Sequence, residues 1–259
     1  MLTEDPRPAT EQAPPLVLLH GFLGEPADWD AVVAALTVPR RVLRADLLRA
    51  ATSAFDLASL ARALADAINE LVRAPVDIVG YSLGGRVALA LLHDRPDCAE
   101  HVLAVSATPG IDNAQERLQR SSADDALADV LERDGLGAFI ERWYAQPLFA
   151  ALRSHPDFGV VSRRRAAGDG ASWARILRDA SPGRNRSLWS ELRRMATTPS
   201  VTNRLSFAVG SLDAKYLDLS REVTERVPAL RVDVIDGAGH AVHLERPAAL
   251  AARIDALLH

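Results

Sequence analysis

Cysteine is almost absent from this chain: Cys98 is the only one in 259 residues. No internal disulfide can form, which fits a reducing compartment, and the cytoplasm is the expected location. Lysine is equally scarce. Lys215 stands alone among 30 basic residues, so nearly all positive charge is arginine. A genomic bias toward arginine accounts for most of these, and only arginines placed by a motif carry information. The formal net charge of −4 gives no general attraction to nucleic acid or to an anionic membrane. Long apolar runs are missing too. The opening MLTEDPRPATEQAPP is acidic and proline-rich, so it reads as neither signal peptide nor membrane anchor but as a short disordered lead-in. There is no Gly-rich phosphate loop with a lysine, no dinucleotide fingerprint and no Cys/His pair at ligand spacing, so neither cofactor nor metal is expected. The sequence carries no signature of an oligomeric state.

What is present is an ordinary globular composition, with 48% hydrophobic and 25% charged residues, long enough for one sizeable core. Short β-branched or Leu-rich runs alternate with longer amphipathic ones, the pattern of βαβ units around a parallel sheet. The runs are LVLLH (16–20), RVLRAD (41–46), VDIVG (76–80), HVLAVSA (101–107), RLSFAVG (204–210) and LRVDVID (230–236). LASLARALADAINELV (57–72) has apolar residues at three- and four-residue spacing, and RPAALAARIDALLH closes the chain as a helix. The alternation fails between about 108 and 199, where helical patterns and polar breaks occur without a convincing strand. We read residues 1–259 as a single α/β domain with a helical cap inserted over about 108–199, at the sheet edge where open α/β sheets bind ligands.

GYSLGGR (80–86) lies between a strand and a helix. Gly-x-Ser-x-Gly in that setting forces a serine onto a sharp turn with its oxygen clear, so Ser82 is the candidate nucleophile or base. The N–H of Leu83 then points into the same space. Two partners are required in the order serine, acid, histidine. FAVGSLDAKY places Asp213 just past a strand end, and DVIDGAGHAVHLERP places His240 in the loop after the next one. Asp236 and Asp218 rival Asp213 as acids, and His243 rivals His240. In LVLLHGFLGEPADW, His20-Gly21-Phe22 is similar to the loop that donates the second oxyanion amide, here that of Phe22. The His20 side chain reads as a backbone tie.

With these residues the chain resembles the α/β-hydrolase superfamily over nearly its whole length, and it starts close to its first core strand, without an N-terminal antiparallel pair. GYSLGGR, TPGIDNAQERLQR (108–120), FIERWYAQPLF (139–149), GSLDAKY and GHAVHLERP together resemble 2-succinyl-6-hydroxy-2,4-cyclohexadiene-1-carboxylate synthases of menaquinone biosynthesis. Serine at 211, where the family more often has glutamate, is a departure. The resemblance implies a lyase that removes pyruvate from a small polycarboxylate, 2-succinyl-5-enolpyruvyl-6-hydroxy-3-cyclohexene-1-carboxylate. It also implies substrate contacts from Tyr81, Arg86, Arg120, Trp143 and one arginine of SRRRAA, taken as Arg164. The alternatives are a surface ion pair for Arg86, for which the functional reading stands ahead on physical grounds, and solvated helix faces for Arg120 and Arg164. A serine hydrolase of ester or carbon–carbon bonds is the alternative, and a non-catalytic binding protein on the same scaffold a more distant one.

Overall fold

The computed structural model describes residues 1–6, 13–50, 54–195, 197 and 203–257. The six apolar runs form six parallel strands: β2 (Leu16–Leu19), β3 (Val42–Ala45), β4 (Val76–Tyr81), β5 (Ala99–Val105), β6 (Leu205–Gly210) and β7 (Arg231–Ile235). A seventh, β1 (Leu2–Glu4), pairs antiparallel with β3, giving the order β1-β3-β2-β4-β5-β6-β7. This corrects the expectation of a disordered lead-in with no antiparallel pair. An edge strand needs no apolar run when its partner supplies opposite charge. Glu4 pairs with Arg41 at 2.7 Å and Asp5 with Arg44 at 2.5 Å, so the acidic residues that suggested disorder hold the strand to β3. Residues 7–12 of that lead-in lie outside the described residues.

The centre of the sheet is covered on both faces. Every residue of β2 and β4 is buried, as parallel strands flanked by helices require. Asp77 on β4 is the polar exception, fully buried, and it pairs with Arg40 and lies 2.9 Å from the His101 Nδ1. A buried carboxylate is tolerable only with such partners. This cluster sits at the start of β4, the end of the sheet opposite Ser82.

Helices α1 (Asp30–Ala35), α2 (Leu47–Ala50), α3 (Leu57–Leu71) and α4 (Leu83–Asp94) follow β2, β3 and β4. α3 starts where the Asp56 side chain accepts a bond from the Ser59 amide, and it buries Leu57, Leu60, Leu64 and Ile68 along one stripe. Complete burial of one such leucine contributes about 1.5–3 kcal/mol. Between β5 and β6 every described element is helical: α5 (Ala114–Tyr144, broken at Gly135, φ 78°), α6 (Ala150–Arg153), α7 (Phe158–Ala166), α8 (Gly170–Asp179) and α9 (Trp189–Met195), with a short 3-10 turn before α6. Helices α10 (Ala214–Arg226), α11 (Val242–Glu245) and α12 (Pro247–Leu257) complete the chain. Among the described residues, no helix is long and apolar enough to cross a membrane.

Candidate active site

The turn between β4 and α4 holds Ser82 at φ 51°, ψ −107°, a conformation L-residues rarely adopt. Such a residue costs on the order of 1–3 kcal/mol, which the surroundings must offset. The Ser82 amide donates to the Val105 carbonyl at 2.8 Å, and the Ser82 carbonyl accepts from the Arg86 amide at 3.1 Å. The flanking glycines are steric requirements. A side chain at Gly80 would strike the backbone of Gly84, and one at Gly84 would strike the carbonyls of Leu19 and His20. Leu83 opens α4, so its N–H is one of the amides a helix start leaves without an intrahelical partner.

His240 and Asp213 are brought together as a buried pair, 2% and 4% exposed, with Nδ1 of the ring 2.7 Å from Asp213 Oδ2. A carboxylate accepts, so Nδ1 carries the proton and Nε2 is left as the basic nitrogen. The other oxygen of Asp213 accepts from the Tyr216 amide at 3.2 Å, so one carboxylate orients the imidazole and caps α10. Rings hold His240 on three sides: Tyr216 at 4.6 Å, Tyr81 at 5.3 Å and Phe149 at 5.7 Å between centroids.

The rival residues take other places. Asp236 accepts from Ser211 Oγ and Asp218 pairs with Arg221. His243 is fully buried, 4.3 Å from the Tyr81 ring and 4.9 Å from Trp29, and neither of its ring nitrogens has a partner among the described residues. Burial lowers its pKa to about 3, so it is a neutral packing element. His20 accepts from the Leu47 amide through Nε2 at 3.0 Å, which puts its proton on Nδ1, bonded to the Gly21 carbonyl at 2.9 Å. Burial holds it below the ordinary imidazole value, and its side chain ties backbone to backbone.

Ser82 opens into a cleft of about 520 Å³ that is also lined by Phe22, Leu83, Arg86, Arg120 and Trp143. Trp143 meets the Phe22 ring edge-on at 4.9 Å. Arg86 donates through Nη1 to the Ala180 carbonyl at 2.6 Å, and no carboxylate among the described residues lies within ion-pairing distance of it. Burial, and then the charge of Arg120, pull its pKa down to about 10. Arg120 spends its Nε on Asp124, at 2.8 Å and 3.0 Å from the two oxygens, one helical turn on. The cleft therefore carries positive charge that the protein leaves unbalanced.

Two of the proposed substrate contacts are not brought to this cleft. The Tyr81 side chain is only 5% exposed and packs between His240 and His243, with its ring against Gly21. Adjacent residues leave a strand end in opposite directions, so the turn that exposes Ser82 buries its neighbour. Arg164 faces a separate depression of about 630 Å³, bound to Glu25 at 2.6 Å and to Asp28 at 2.9 Å. Its neighbour Arg165 turns inward to the same Asp28 at 2.9 Å and lies over the Tyr144 ring. The acidic turn after β2 thus captures two of the three arginines of α7. Burial opposes the Asp28 charge, but Arg165 with its other neighbours more than offsets this and keeps its pKa below the ordinary value.

A family model described as "Alpha/beta hydrolase family" matches residues 16–253. The chain belongs to the α/β-hydrolase family. Other members resemble it closely enough to compare. A putative 2-succinyl-6-hydroxy-2,4-cyclohexadiene-1-carboxylate synthase of Bacillus subtilis is 30% identical, over 90% of this chain and 85% of that one. The Arabidopsis thaliana protein PHYLLO, chloroplastic, is 32% identical over 89% of this chain, which spans only 14% of that longer protein. Among solved structures, MenH from S. aureus superposes with a TM-score of 0.89 at 23% identity, covering 99% and 97% of the two chains. A thermophilic esterase from Thermogutta terrifontis gives 0.81 at 20% identity over 99% and 92%. At those identities the structures establish the shared hydrolase fold.

Sequence reasoning missed three residues of this candidate site. Tyr216 lines the cleft beside Ser82 and covers the imidazole. Asp124 could have been found from its four-residue spacing to Arg120. Glu245 is buried, and its carboxylate accepts from the amides of Gly239 and, at 3.1 Å, Ala241, one on each side of His240. Among the described residues, no group of three or more His, Cys, Asp and Glu side chains is arranged to hold a metal ion.

Proposed function

We propose that this chain eliminates pyruvate from 2-succinyl-5-enolpyruvyl-6-hydroxy-3-cyclohexene-1-carboxylate, the 2-succinyl-6-hydroxy-2,4-cyclohexadiene-1-carboxylate synthase step of menaquinone biosynthesis in the cytoplasm. The observation that carries this reading is Arg86: a half-buried cation without a carboxylate partner among the described residues, lining the cleft that Ser82 enters. A neutral ester gives no return on desolvating a guanidinium, whereas a tricarboxylate does, through charge-assisted bonds to Arg86 and Arg120. The names of the relatives point the same way.

In this mechanism Ser82, deprotonated by His240 Nε2, takes the ring proton next to the succinyl ketone. Asp213 keeps the imidazole in the required tautomer and stabilises its charged form. The ketone oxygen becomes an enolate against the amides of Phe22 and Leu83, each worth about 3–4 kcal/mol in sites of this kind. The electron pair then returns through the ring, the C–O bond to the enolpyruvyl group breaks, and the departing pyruvate enolate takes up a proton. Water is not consumed and no acyl-enzyme forms. Trp143 forms an apolar wall of the cleft, while Tyr81 acts from below by packing the base.

The test is pyruvate release from freshly made precursor, run beside cleavage of a short-chain nitrophenyl ester. Fast release with feeble ester cleavage, and a loss of about a thousandfold or more in Ser82→Ala, is the expected result. Brisk ester cleavage with a pre-steady-state burst and no pyruvate would return Ser82 to nucleophilic hydrolysis.

A further inference from the structure

The cleft does not end at Arg120. Beyond Thr108, Arg120, Pro182 and Tyr216, which line both spaces, it continues into a second lobe of about 780 Å³. The chain's single lysine, Lys215, lines that lobe. Its Nζ lies 5.8 Å from the centroid of the Tyr216 ring, the same ring that packs on His240 at 4.6 Å. One aromatic side chain therefore separates this ammonium from the imidazole.

The charges around Lys215 are already spent on other partners. Of the carboxylates lining the lobe, Asp218 pairs with Arg221, and Glu222 pairs with Arg226 at 2.6 Å. Asp213 is committed to His240 and the Tyr216 amide, and Asp124 to Arg120. No carboxylate among the described residues lies within ion-pairing distance of Lys215. Partial desolvation, and then the charge of Arg120, hold its pKa below the ordinary lysine value. A compact ammonium on a flexible stem, repelled by a neighbouring guanidinium, is stabilised by any anion that enters between the two.

We propose that the second lobe is a carboxylate subsite, in which Lys215 and Arg120 hold the terminal carboxylate of the substrate's succinyl arm. This rests on the pyruvate-eliminating reading above. In that reaction the ketone at the root of the arm faces the Phe22 and Leu83 amides. The ring carboxylate and the enolpyruvyl group are fixed close to the reacting carbons and fall to the inner lobe, where Arg86 lies. The succinyl carboxylate sits at the end of a flexible chain and is the group that can pass the Arg120–Tyr216 wall.

Lys215 is exposed on the first turn of α10, so Lys215→Met and Lys215→Arg leave the core untouched. With the full chain and the natural substrate, Lys215→Met raises KM about tenfold, the worth of one lost charge-assisted contact, while kcat changes by less than about twofold. Lys215→Arg recovers most of the loss. An analogue whose succinyl carboxylate is a carboxamide gives the same KM with wild type and Lys215→Met, because the contact is already gone. Succinate titrated calorimetrically into both proteins needs no turnover, and it binds Lys215→Met at least about fivefold more weakly. Unchanged KM in Lys215→Met, an undiminished gap with the carboxamide, or equal succinate binding overturns the subsite. If wild type releases no pyruvate while succinate binding still depends on Lys215, the reaction assignment falls and the carboxylate subsite stands.

Discussion

The outer faces of the inserted helices and the cleft beneath them are both rich in positive charge, and they treat it oppositely. On the outside, Arg178 reaches Asp129 at 2.6 Å and Glu132 at 2.7 Å, Arg184 reaches Asp125 at 2.5 Å, and Arg142 reaches Asp134 at 2.8 Å. These pairs lie in high dielectric and contribute little each. In the cleft, Arg86 and Lys215 have no such partner among the described residues, and Arg120 pushes on both. A chain whose cations are nearly all arginine cannot be read by counting them. On the proposed reading, function is marked by the cation the fold declines to neutralise.

The largest effect that sharpens this contrast is expected from Arg86→Ala. Removing a desolvated charged donor from the substrate costs about 2–3 kcal/mol, on the order of 100-fold in kcat/KM, mostly through KM. The thermal midpoint should move little, since only the bond to the Ala180 carbonyl is lost. Unchanged kinetics would end the argument from unpaired charge.

An effect on stability rather than on kinetics is expected from the buried layer under Ser82, where a third kind of site is neither paired nor charged. His243 titrates near 3 when folded and near 6.5 when unfolded. Between those values only the unfolded chain binds the proton, so stability falls as pH drops through that window, by about 1.4 kcal/mol per pH unit in its middle. Denaturant titrations from pH 6.5 to 4 should show that slope, and His243→Phe should flatten it. Equal slopes in the two proteins would show that other groups set the acid limit.

The smallest effect belongs to the surface. Arg178→Ala should leave activity intact and shift the thermal midpoint by no more than about 2 °C. A shift several times larger would mean that the outer pairs act as a network and that the contrast is overstated.

The sheet and the serine turn were legible in the sequence because each leaves a pattern that geometry enforces. β4 must be apolar to be buried on both faces, and the glycines at 80 and 84 are there because any side chain would collide. The pairing of Asp213 with His240 was legible from order alone, once each followed its strand. β1 was not, since an edge strand held by Glu4 and Asp5 looks like a polar tail. Nor was the division of labour among Arg163, Arg164 and Arg165. Neighbours on a helix point about 100° apart, and which one meets Asp28 depends on how α7 is rolled. Tyr81 misled for a related reason: proximity to Ser82 in sequence places its ring on the other side of the strand end. Glu245 left no motif, because its partners are amides.

Asp213 begins α10 with one oxygen and orients His240 with the other. The two duties cannot be lost separately. If the first turn of α10 frays on warming, the carboxylate swings with it and the imidazole loses its tautomer, so activity fades at the temperature where that turn melts rather than where the sheet does. Under the proposed mechanism, the working range of the catalyst is then set by the local melting of a single helical turn.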